Sequence, residues 1–166
     1  MGLYKILMRK IAKGVKPEHR VEAFLAHELD LIEPGLRLVQ RQYPLYYIRR
    51  LMVGKIDLFC AGEDMADVAI ELVAAGPLSS NDLGQMMAYY DVLSTRAELH
   101  KRPMPRLYAI GPGMTAAFQH ALNVLDGGRQ INLKVKLFRP RPEVRLEDEE
   151  WAVEIWDHQP YLIIQT

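Results

Sequence analysis

At 166 residues, with 49% apolar and 25% charged side chains, the chain has an ordinary globular composition and is long enough for a single domain, residues 1–166, that buries a core without disulfides or a structural metal. Its 21 basic and 21 acidic side chains cancel, which argues against tight non-specific binding to nucleic acid without excluding a local basic patch. No apolar run approaches the roughly 20 residues that span a bilayer, and a single cysteine, Cys60, can form no internal disulfide and fits a reducing, cytoplasmic setting.

Residues 1–16 place Lys5, Arg9, Lys10, Lys13 and Lys16 among Leu3, Ile6, Leu7, Met8 and Ile11. They predict a docked terminal element, a short amphipathic helix or a pairing segment, ahead of a membrane or nucleic-acid arm, and they lack the long apolar stretch and cleavage site of a signal peptide. Pro17-Glu18 opens the first helix, on which Val21, Phe24, Leu25, Leu29 and Ile32 keep helical spacing until Pro34-Gly35 stops it. Leu36 to Gln42 alternates as a strand, with Tyr43 to Arg50 as a turn or its continuation. Val53 to Cys60 is a second strand, Gly62-Glu63-Asp64 its turn, and Asp67 to Ala74 a third, apolar enough to be central. So short a turn makes these two antiparallel.

Gly76-Pro77 breaks the chain, and Ser79, Ser80 or Asn81 caps the next helix. There Leu83, Met86, Met87, Tyr90 and Leu93 form the apolar stripe, while Gln85 and Tyr89 share a different face. Arg106 to Ile110 is a fourth strand. Gly111-Pro112-Gly113, which lacks the lysine and further glycines of phosphate-binding fingerprints, reads as a plain turn into a helix over about 115–125, ended by Gly127-Gly128. Ile131 to Phe138 alternates as a fifth strand, and Trp151 to Trp156 adds an edge strand. The order predicts an α/β sandwich, a mixed central sheet flanked by helices.

Two acids stand out. Asp57 and Glu71 lie on consecutive strands, whose spacing of about 5 Å lets both reach one hard divalent cation. By alternation Glu71 shares a face with Val73, and Asp57 with Lys55. The plain reading makes Asp57 and Glu71 rim acids, Lys55 a solvated charge, and Gln85 and Tyr89 an exposed helix face. The five histidines, His19, His27, His100, His120 and His158, show no metal-ligand spacing.

The set Gly54-Lys55-Ile56-Asp57, then Glu71-Leu72-Val73, then Gln85 and Tyr89 resembles the metal-binding core of the PD-(D/E)xK nuclease superfamily. With Glu22-Ala23-Phe24-Leu25, Leu31 to Leu36 and Arg41-Gln42, it is similar to the NucS/EndoMS-type endonuclease catalytic domain over about residues 18–125. The resemblance implies a restriction-endonuclease-like three-layer sandwich and Mg²⁺ or Mn²⁺ held by Asp57, Glu71 and the Leu72 carbonyl. It further implies that Glu22 orders metal waters and that Gln85 and Tyr89 face the site and the DNA. Relatives of this kind often work as dimers on duplex DNA, so a homodimer belongs to the expectation, and a membrane partner does not. One position departs from the pattern: the tripeptide's lysine is Val73, natural or introduced, and Lys55 is the residue that can replace it. Two functions are therefore expected. One is a metal-dependent DNA endonuclease in repair or defence. The other is a catalytically inactive nuclease-fold protein that serves DNA binding or assembly.

Overall fold

A computed structural model of the protein describes residues 5–10, 17–47, 50–128, 131–140 and 150–157. In chain order the elements are β1 (Lys5–Lys10), α1 (Pro17–His27), a 3-10 turn (Leu29–Leu31), β2 (Arg37–Tyr46), β3 (Met52–Ala61), β4 (Asp67–Leu72), α2 (Ser80–Leu99), β5 (Arg106–Gly111), α3 (Ala116–Gly128), β6 (Leu133–Pro140) and β7 (Glu150–Asp157). The strands form one seven-stranded sheet in the order β1-β7-β6-β5-β4-β3-β2. β4, β5 and β6 run parallel because helical crossovers, α2 and α3, return the chain to the same edge each time. The remaining pairs are antiparallel. Among the described residues no helix is long and apolar enough to cross a membrane.

The sheet is the middle of three layers. Leu58, Cys60, Val68, Ile70, Leu72, Tyr108 and Ile110 pack on Val21, Phe24 and Leu25 of α1. Phe59, Ala69, Leu107, Ala109 and Val135 point the other way, onto Leu83, Met86, Tyr89 and Leu93 of α2 and Phe118 of α3. Each fully buried aliphatic side chain contributes about 1.5–3 kcal/mol, so the two faces together hold β4 and β5 rigidly. Cys60 is buried, and burial pushes its thiol up to about 12, as expected for an inert core position.

Three expectations change, and the choice left open at Tyr43 falls to the strand. The first helix ends at His27 rather than Ile32, because the backbone leaves helical angles at Glu28 (φ −122°, ψ 41°); the 3-10 turn that follows still buries Leu29 and Ile32. The strand beginning near Leu36 runs on to Tyr46. On α2 the buried stripe passes through Tyr89 and Val92 instead of Met87 and Tyr90, which are only partly covered. The strand near Trp151 is not an edge, since β1 pairs along it from Lys5↔Ile155 to Lys10↔Glu150.

Candidate functional site: two buried acids where strands part

Side chains alternate along a regular strand, and β3 breaks this rule at Asp57. Ile56 packs in the α2/α3 layer, yet Leu58, two residues on, packs in the α1 layer. β2 breaks it at the facing position. Arg41 pairs with Leu58 and Tyr43 with Ile56, which leaves Gln42 opposite Asp57. Gln42 has φ +49°, a left-handed conformation that non-glycine residues seldom take. Beyond it Tyr43 stacks on Phe59 (centroids 4.4 Å apart) and pins the turned strand. The β3–β4 ladder also stops here, its final pair being Leu58↔Ile70. Asp57 and Glu71 are the next two positions, at the point where the strands separate.

The gap is bridged by side chains. Asp57 Oδ2 accepts the Leu72 backbone N–H at 2.7 Å, and Asp57 Oδ1 accepts Gln42 Nε2 at 2.8 Å. Gln42 Nε2 also donates to Glu22 Oε2 at 3.0 Å, and Arg41 Nε donates to Glu22 Oε1 at 2.8 Å. Glu22 projects from α1 and is only 4% exposed. It is thus no surface charge but the anchor of the kinked segment, tied to Asp57 through Gln42.

Glu71 faces the α2 side. Its Oε2 is buried with no hydrogen-bond partner among the described residues. Burial, then the charge of Asp57, then that of Asp82, push its carboxyl up to about 9. Asp57 is also raised, first by burial and also by Glu22 and Glu18, against the hydrogen bonds from Leu72 and Gln42. Asp82 is present because α2 begins in a capping box: its Oδ2 accepts both the N–H (2.6 Å) and the hydroxyl (2.7 Å) of Ser79.

α2 locks onto β3 beside the acids. The Tyr89 hydroxyl donates to the Lys55 carbonyl at 2.7 Å and accepts Gln85 Nε2 at 2.5 Å. Gly54 makes this approach feasible, since a Cβ there would stand 2.7 Å from Gln85 Nε2 and 2.9 Å from the Tyr89 hydroxyl. Tyr89 is wholly buried, and its hydroxyl is held above the ordinary phenol range by burial and by the charge of Glu71. Val73 is partly buried against the α2 layer, its N–H bonded to the Ile110 carbonyl. The Lys55 side chain is exposed and, among the described residues, makes no ion pair with either acid.

A hard cation suits this arrangement in one definite respect: two carboxylates crowd together without a counter-charge, and one oxygen is buried without a partner. Mg²⁺ accepts such sites, with few carboxylates and several waters. The side chains as they stand do not gather three His, Cys, Asp or Glu residues into a metal-binding group among the described residues.

No protein-family model and no curated protein matches the chain. Solved structures do. A repair endonuclease from Pyrococcus abyssi superposes with a TM-score of 0.56 at 18% identity, over 75% of this chain and 48% of that one. EndoMS bound to double-stranded DNA superposes with a TM-score of 0.53 at 16% identity, over 76% of this chain and 46% of that one. The fold is restriction-endonuclease-like. This chain spans about half the length of the structures it matches.

Two parts of the site carried no role in the sequence. Gln42 follows the arginine of its motif, but nothing in residue type announces its left-handed backbone. Asp82 was legible as the fourth member of Ser79-x-x-Asp82, a capping signature, though its nearness to Glu71 needs the fold.

Proposed function

We propose that the chain is a metal-dependent DNA endonuclease domain that hydrolyses phosphodiester bonds, with a Mg²⁺ or Mn²⁺ ion held by Asp57, Glu71 and the Leu72 carbonyl. The observation that carries this reading is the buried Asp57–Glu71 pair at the parting of β3 and β4, in a fold like that of a repair endonuclease. A divalent cation bound there supplies an activated water and offsets the negative charge that builds on the phosphodiester in the transition state.

The chain's own residues do the positioning. Gln42 fixes the carboxylate plane of Asp57, Glu22 fixes Gln42 and Arg41, and Glu22 would order the waters of a bound ion. Arg41 is 45% exposed and, among the described residues, bonds Glu22 through Nε, which leaves its outer guanidinium nitrogens available to a phosphate. Gln85 and Tyr89 hold β3 in place beside the acids, Tyr89 from a buried position through the Lys55 carbonyl. Lys55, two residues before Asp57, stands in for the ammonium that Val73 cannot supply.

Calorimetric titration with Mn²⁺ and cleavage of a duplex oligonucleotide test the reading together. Native protein is expected to bind Mn²⁺ and to cut; Asp57→Ala is expected to do neither. Native protein that binds no Mn²⁺ overturns the metal site. If the native chain binds the ion without cutting and Val73→Lys then cuts, the domain is the inactive relative, suited to DNA binding or assembly.

A further inference from the structure

Asp57 is confined from two sides. Its Oδ2 accepts the Leu72 N–H of β4 at 2.7 Å, and its Oδ1 accepts Gln42 Nε2 of β2 at 2.8 Å. With a donor on each oxygen, the carboxylate cannot rotate about its own axis without breaking a short bond. Gln42 is held in turn. An amide nitrogen carries two hydrogens, and the other goes to Glu22 Oε2 at 3.0 Å. Glu22 is 4% exposed and takes Arg41 Nε on its second oxygen at 2.8 Å. The Gln42 backbone is fixed as well, in a left-handed conformation (φ +49°) beside the Tyr43–Phe59 stack. Three elements, α1, β2 and β4, therefore set the plane of one carboxylate.

Gln42 is exposed, so its side chain adds little to the core, and both of its bonds serve acids. The acids it serves are few. Among the described residues Asp57 and Glu71 have no third His, Cys, Asp or Glu close enough to complete a metal-binding group. A fixed carboxylate in a sparse set of oxygens distinguishes between hard cations. Ca²⁺ collects about 6–8 oxygens, often both oxygens of one carboxylate, at about 2.3–2.6 Å and in flexible surroundings. Mg²⁺ sits at about 2.0–2.1 Å, takes one or two carboxylates and keeps several waters. Mn²⁺ shares its preference for an octahedron of oxygens. Asp57, locked as it is, cannot swing to offer two oxygens to one ion, nor retreat by the roughly 0.3–0.5 Å that separates the larger ion from the smaller.

We propose that Gln42 determines which divalent cation the acids accept: by locking Asp57 it makes the pair a site for Mg²⁺ or Mn²⁺ that turns Ca²⁺ away. The inference rests on the reading that Asp57 and Glu71 hold a metal, and it adds the residue that selects the ion. Gln42 is a positioning residue, since it acts on the ion through Asp57 and not by ligating it.

The test is calorimetric titration with Mn²⁺ and, separately, with Ca²⁺ of native protein, Gln42→Met and Gln42→Glu, each variant checked for folding by circular-dichroism melting. Native protein is expected to bind Mn²⁺ more tightly than Ca²⁺. Gln42→Met keeps the volume but donates nothing; Mn²⁺ affinity is expected to fall about 10- to 100-fold, the usual effect of losing support behind a metal ligand, while Ca²⁺ affinity holds or rises. Gln42→Glu sets a third carboxylate beside the pair and is expected to reverse the native preference. If Gln42→Met weakens both ions alike, so that their ratio stays native, the inference is overturned, because loosening a mere prop does not choose between ions. Should neither variant fold, hydrogen exchange in native protein decides: the Leu72 amide is expected to stay as slow with Mg²⁺ as without it, and faster exchange with Mg²⁺ means that the lock opens for the ion and sinks the inference. Native protein that binds Mn²⁺ and Ca²⁺ equally overturns the inference and leaves the metal site standing, whereas native protein that binds neither ion overturns both. Selectivity that depends on Gln42 in a protein that never cuts DNA upholds the inference while the nuclease reading fails.

Discussion

Acids gather at both ends of the central strands, and the protein treats the two groups in opposite ways. At the start of β5, Arg106 reaches Glu33 twice (Nη2–Oε1 2.6 Å, Nε–Oε2 3.0 Å) and Asp64 twice (2.6 and 3.1 Å), while the Tyr108 hydroxyl donates to Glu33 at 2.6 Å. Burial opposes ionisation of Glu33, but the bonds from Arg106 and Tyr108 outweigh it and hold the carboxyl below its usual range. Asp64 is lowered as well, chiefly by Arg106. Gly62 leaves room for the guanidinium, since a Cβ there would sit 2.1 Å from Arg106 Nη2. At the far end of β4, Asp57 and Glu71 form no ion pair with a Lys or Arg among the described residues, and both are raised. Every acid of the first group has found its charge partner within the chain. The second group keeps its acids raised in place of paired, which is the electrostatic difference between the two ends.

The sharpest way to break the comparison is to remove Arg106. Arg106→Ala leaves Glu33 part-buried and unpaired and is expected to cost about 3–5 kcal/mol in denaturant unfolding, with Mn²⁺ affinity unchanged. Loss of Mn²⁺ binding in that variant, at a temperature where it is folded, would mean that the two ends are coupled.

At the other end, Glu22→Gln weakens the grip on Arg41 and disturbs the hydrogen bonding that orients Gln42. Mn²⁺ affinity is expected to fall about 10- to 100-fold by calorimetry, the usual effect of losing support behind a metal ligand. Tyr89→Phe removes the hydroxyl shared by the Lys55 carbonyl and Gln85, and thermal unfolding is expected to register about 1–3 kcal/mol. An unchanged melting temperature would show that the Tyr89 bridge holds nothing.

The subtlest contrast is in pH. A group whose carboxyl is raised on folding, like Glu71, keeps its proton in the native state while the unfolded chain releases it above the ordinary value of 4.5. The native state then binds the extra proton, so Glu71 lowers stability progressively from there up to about pH 9. Glu33 has the reverse sign: its stabilising share is present above the unfolded value and lost as pH falls through the lowered native one. In metal-free protein, Glu71→Gln is expected to gain a few degrees over native protein near pH 9 and nothing near pH 4, a difference that saturating Mn²⁺ should reverse.

How much of this could be read from the chain divides along the same line. Helices and strands were legible because Val21 with Leu25, and Leu83 with Met86, recur at helical spacing and Val68, Ile70 and Leu72 at strand spacing. The order of Gly54, Asp57, Glu71 and Gln85 indicated where acids would meet. The Glu33–Arg106 bond was not legible, since the partners stand 73 positions apart in the chain. Alternation also misled at Asp57, where two strands turn over together; a period-two rule cannot foresee a residue with φ +49°. Tyr89 read either as part of an exposed face or, by the resemblance, as a residue facing the site, because tyrosine fits surface and core equally well; Gly54, a missing side chain on another strand, makes room for it inside.

The left-handed bend at Gln42 bears on one more property. β2 is one of the two end strands of the sheet and ten residues long, the sort of margin onto which other chains zip when they aggregate. Here the register slips between Leu38 and Gln40, the backbone inverts at Gln42, and Pro44 has no N–H to offer. An incoming strand finds no more than a few consecutive rungs before the geometry fails. The same distortion that delivers a side chain to Asp57 thereby guards the protein's open flank against self-association.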